Sequence, residues 1–79
     1  MAIRELGATP STESFALLER TLSSDPIARN RLLAVNSLRL LGKQAANAAR
    51  AREALRIAIS DADENVRTSA SDAYEELSR

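Results

Sequence analysis

Apolar residues recur along this chain at spacings of three and four, the period of a helix with one buried face. Phe15, Leu18 and Leu22 form the first such stripe behind Ser11, Thr12 and Glu13, and predict a helix over about 12–22. Asp25-Pro26 opens a second. An Asp can cap free N–H groups, and Pro at the first helical position lacks only an N–H that would go unpaired there. The second helix buries Ile27, Ala34, Leu38 and Leu41 and stops at Gly42, a residue able to take the left-handed conformation that ends helices. From about Gln44 an alanine-rich stretch carries a third helix to Ile59, with Ala48, Ala51, Leu55 and Ile59 on one face. Asp61 then caps a fourth, with Glu64 in capping-box position and an inward stripe of Val66, Ala70, Ala73 and Leu77, Tyr74 lying at its edge. No segment reads as a strand.

The chain also repeats. Leu18 to Leu22 lies over Leu55 to Ile59, and one extra serine in the first turn brings Asp25 onto Asp61. Arg31 then falls on Arg67, Ala34 on Ala70, Leu38 on Tyr74 and Leu41 on Leu77. A helix pair recurring at an offset of 36 to 37 residues is the mark of a stacked α-solenoid. The expected fold is therefore all-α: a right-handed stack of two helix hairpins over residues 12–79, preceded by a short arm over residues 1–11.

The run Asp61-Ala-Asp-Glu-Asn-Val66-Arg67-Thr-Ser-Ala70-Ser-Asp-Ala73-Tyr-Glu-Glu-Leu77 resembles a HEAT repeat of the type found in phycobilisome-lyase-like proteins. That pattern runs as Asp, a short polar turn, Val-Arg, then Ala and Leu at helical spacing. The first copy, from Asp25 to Ala34, departs from it by placing Asn30 where the pattern has Val. The resemblance covers roughly residues 15–79. It implies a ladder of Asp and Arg across stacked turns, here Asp25, Arg31, Asp61 and Arg67, and a scaffold that binds protein rather than one that catalyses.

Composition narrows the chemistry. The 79 residues hold neither Cys nor His, which removes thiol chemistry, His-based acid–base catalysis and Cys/His metal sites. No apolar run approaches the roughly 20 residues of a membrane span, and the N-terminus lacks the apolar core of a signal peptide. A cytoplasmic protein is expected. Asp61, Asp63 and Glu64 suit helix capping, and no Gly or closing Glu follows to make a calcium loop of them. The serines have no His or Ser-x-x-Lys arrangement to activate them. Neither an enzyme nor a cofactor is expected.

Two features suggest partners. On the repeat alignment, the polar outer positions Thr68, Ser71, Asp72 and Glu75 of the fourth helix correspond to Leu32, Val35, Asn36 and Arg39 of the second. A helix apolar on two sides is covered on two sides. The cover is the N-terminal arm through Ile3 and Leu6, a second copy in a homodimer, or a different protein. Leu32, Val35, Asn36 and Arg39 are accordingly the candidate protein-binding residues.

Charge is the other feature. Although eleven basic residues balance eleven acidic ones overall, residues 27–56 carry Arg29, Arg31, Arg39, Lys43, Arg50, Arg52 and Arg56 against Glu53 alone. Residues 57–79 carry Arg67 and Arg79 against six acids. One reading is solvated faces with local ion pairs, or a head-to-tail contact of basic on acidic ends. The alternative is a nucleic-acid surface built from Arg29, Lys43, Arg50, Arg52 and Arg56. The absence of a lysine cluster and of an aromatic platform for bases weighs against it. The leading expectation is a small adaptor or assembly scaffold that also self-associates.

Overall fold

The computed structural model describes residues 12–79, with side chains from Ser14 onward. The arm over residues 1–11, with Ile3 and Leu6, lies outside the described residues. Four helices follow: α1 (Thr12–Ser24), α2 (Ala28–Leu41), α3 (Ala45–Ala58) and α4 (Glu64–Leu77). No strand occurs among the described residues. α1 packs on α2 and α3 on α4 as hairpins, and α2 lies against α4, while α1 meets α3 only lightly. The hairpins thus stack side by side into two helical layers. The slab measures 42 × 30 × 14 Å, thin because two helix layers sit only about 8–10 Å apart.

The core is one cluster running through all four helices. Phe15 and Leu22 come from α1, Ala34, Val35 and Leu38 from α2, Ala51, Ala54, Leu55 and Ala58 from α3, and Val66, Ala70 and Ala73 from α4. Burial registers at a single offset of 36, Phe15 with Ala51 and Leu22 with Ala58. No extra serine is needed, because α1 runs on to Ser24 whereas α3 ends at Ala58 and leaves a longer turn.

Both helix starts differ from the expected capping. α2 begins at Ala28 with Ile27 as its cap, and Ile27 is exposed rather than inward. Asp25 sits one turn earlier, where its Oδ1 accepts the Ile27 N–H at 2.8 Å, and Pro26 lies in the turn. Likewise Asp63, not Asp61, caps α4 by accepting from the N–H groups of Asn65 and Val66. Asp61 pins the preceding turn by accepting the Asp63 N–H at 2.8 Å. In both repeats the aspartate thus pins the turn before the helix, and Asp61 keeps its carboxylate for the pairing described below.

Gly42 also acts otherwise than expected. Its φ of −71° is ordinary right-handed geometry. The glycine is required by space: a Cβ there would collide with Cδ1 of Leu77 and lie 2.9 Å from Cβ of Ala51. The end of α2 is thereby pressed into the α3–α4 hairpin.

Candidate functional site

The proposed binding face of α2 is not free. Val35 is fully buried and Leu32 is packed against the core. Arg39 reaches across to Glu76 on α4 at 3.7 Å, and Asn36 is half-buried beside it. The two-sided apolar pattern was a correct sign of a helix covered twice, but both covers are internal. α2 touches each of the other three helices, and α1 takes one flank and α4 the other. Thr68, Ser71, Asp72 and Glu75, at the equivalent positions of α4, are exposed because no third hairpin follows among the described residues.

Of the expected ladder, one Asp–Arg rung joins the two repeats among the described residues. Arg31 turns its Nε and Nη2 to the two carboxylate oxygens of Asp61, at 2.8 and 3.0 Å, in a two-pronged pair largely shielded from solvent. Its Nη1 donates to the main-chain carbonyl of Asp25 at 2.7 Å. One side chain therefore ties its own turn to the next repeat. The hydrogen bond from Arg31, assisted by that from the Asp63 N–H, holds the Asp61 carboxyl below its ordinary pKa against the opposing effect of burial. Arg31 is raised by the same hydrogen bond.

Arg67 repeats half of this arrangement. Its Nη1 donates to the carbonyls of Asp61 at 2.9 Å and Ala62 at 3.0 Å, as Arg31 does to Asp25. It makes no ion pair among the described residues. Beside it runs a shallow cleft lined by Ile59, Arg67, Thr68, Ser71 and Asp72. At the other end, the Asp25 carboxylate is oriented as Asp61 is, and takes the side-chain amide of Asn30 at 3.2 and 3.3 Å. Asn30 thus supplies a donor to the Asp25 carboxylate.

The basic belt is mostly spent inside the molecule. Arg50 pairs with Glu19 through two bonds of 3.2 Å and lies 5.1 Å from the Phe15 ring centre, tying α3 to α1. The Glu19 hydrogen bond raises its pKa. Lys43 lies 3.8 Å from Glu76, Arg56 pairs with Glu53, and Arg52 donates to the Leu77 carbonyl at 3.4 Å. Arg29 alone of the five has no such partner among the described residues.

What the helical wheel missed is a second stripe on α2. Leu33 and Leu40, seven residues and two turns apart, are 57% and 61% exposed. The offset of 36 places them at the positions of Ser69 and Glu76, and Glu76 is where α4 meets Arg39 of α2. Leu33 and Leu40 therefore mark the face on which a preceding hairpin would sit. The signal was legible as leucines seven apart flanking the inward positions Ala34 and Leu38.

No metal-ligating cluster occurs among the described residues, and no helix there is long and apolar enough to cross a membrane. Comparison with family models, with curated proteins and with solved structures finds no match to this chain.

Proposed function

We propose that this chain is a non-enzymatic protein–protein interaction module of the HEAT-like kind, a small adaptor or assembly scaffold of the cytoplasm, that works through the ends of its helix stack. The observation that carries this reading is the exposure of Leu33 and Leu40 on the α2 face that a preceding hairpin would cover. Two leucines left in water on one helix face are an unusual cost for a chain with so small a core, and burying both is worth on the order of 3–5 kcal/mol. The polar groups around them are short: Ser37 lies between the leucines, with Asn36 and Asn30 at the rim. Such a centre-apolar, rim-polar surface suits another helix.

The test is capture from native cell extract on the immobilised chain, with and without nuclease, comparing wild type with Leu33→Asp/Leu40→Asp. Both positions are exposed, so the double variant is expected to keep its helical circular dichroism. A protein retained by wild type and lost by the variant supports the reading. Identical capture by both chains overturns it, as does binding that nuclease removes.

A further inference from the structure

We propose that the open tail of the stack receives the head of a second copy, so that the chain assembles head to tail by repeating its own internal interface. This inference deepens the interaction reading above and names the partner as this chain itself.

The argument is the equivalence of the two repeats. Within one chain, Arg31 donates to its own Asp25 carbonyl and to the Asp61 carboxylate one repeat further on. Arg67 keeps the first contact and has no carboxylate for the second. The carboxylate that fits is at the other end of the molecule. Asp25 has its Oδ1 fixed by a main-chain N–H two residues on at 2.8 Å, as Asp61 has. Its remaining donor, Asn30, is neutral, and a guanidinium fork makes the stronger bond. An Arg67–Asp25 rung between copies reproduces Arg31–Asp61.

Charge and shape agree with that register. α2 carries Arg29, Arg31 and Arg39 with no acid, and α4 carries Glu64, Asp72, Glu75 and Glu76 against Arg67. Their packing within the chain already sets basic against acidic, with Arg39 and Lys43 on Glu76. Stacking α2 of the next copy on α4 continues the alternation. The cleft between repeats is lined by Ala28, Arg29, Leu32, Asp63 and Asn65. Its counterpart between copies brings the unpaired Arg29 of one to Glu64 of the other. Leu33 and Leu40 then lie over the short side chains Thr68 and Ser71 and leave solvent.

The chain has no cysteine, so the register can be read by disulfide trapping. The Arg39–Glu76 contact maps between copies onto Glu75 and Leu40, both exposed. Oxidised Glu75→Cys/Leu40→Cys is expected to give a ladder of covalent multimers, and each single variant none. In sedimentation velocity the wild type is expected to grow past dimer as concentration rises and to dissociate with salt. Arg67→Glu should weaken this association about tenfold or more. A covalent dimer from Leu40→Cys alone would show a two-fold pairing of heads and overturn the proposal. A wild type that stays monomeric at all concentrations also overturns it. Partner capture lost in Leu33→Asp/Leu40→Asp would, in that event, leave the broader interaction reading standing.

Discussion

Thirty-six residues separate α2 from α4, and their bounds, Ala28–Leu41 and Glu64–Leu77, are congruent. Yet at equivalent positions one has Leu32, Val35 and Arg39, and the other Thr68, Ser71 and Glu75. The first set is covered by the second repeat and the second set by nothing among the described residues. The same contrast holds for the arginines, since Arg31 completes a two-pronged pair and Arg67 does not. Equal backbones with unequal faces show that a position in a stacked repeat is defined by its neighbour.

The sharpest way to break this comparison is to place one charge at paired positions. Val35→Asp puts a carboxylate where no water reaches, and is expected to abolish the cooperative unfolding transition and most helical circular dichroism. Ser71→Asp, its counterpart, should stay within about 0.5 kcal/mol of wild type. Equal effects would mean that the two faces are not distinct. Next in size is Gly42→Ala, whose methyl meets Leu77 and Ala51. A loss of about 1–3 kcal/mol in denaturant titration is expected from overpacking, and an unchanged midpoint would show the hairpin junction to be loose.

The smallest effects sharpen the ladder. Arg31→Gln should lower the melting temperature more than Arg67→Gln, because only Arg31 bridges repeats. The difference should also depend on pH. Asp61 titrates below its ordinary value when folded, so its pairing stabilises fully above the unfolded carboxylate pKa of about 3.9 and is lost as pH falls through the lower folded value. The gap between wild type and Arg31→Gln is thus expected to hold from neutral pH down to that range and to close in more acidic solution. A gap that widened on acidification would contradict the pairing.

Much of this was open to inspection in the sequence, for physical reasons that can be named. The stripe Val66, Ala70, Ala73 reports the buried side of α4 because one helix with one covered face leaves a single apolar arc. The repeat was readable from Asp25, Arg31, Asp61 and Arg67, since the ladder demands fixed residue types at fixed offsets. α2 defeated the same method. With three neighbours its buried arc spans Ala34 to Leu32, and a wheel shows that both sides are apolar without showing which helix lies where. The first-turn signals misled because an Asp near a helix start has two uses. Asp25 and Asp61 pin the turn and face the ladder, and only the third partner of each, Ile27 or Asp63, settles where the helix begins.

Half of the twelve buried apolar residues among those described are alanine: Ala34, Ala51, Ala54, Ala58, Ala70 and Ala73. An alanine-lined interior exposes little hydrocarbon when it opens. Both the heat-capacity increment and the steepness of the urea transition scale with that newly exposed surface. Unfolding is therefore expected to be shallow in urea and weakly curved in temperature. A fold of this kind gains disproportionately from anything that binds only its native form, since each tenfold excess of such a binder over its dissociation constant adds about 1.4 kcal/mol. A binder at the ends, as proposed above, is therefore expected to lengthen the survival of the chain under proteolysis.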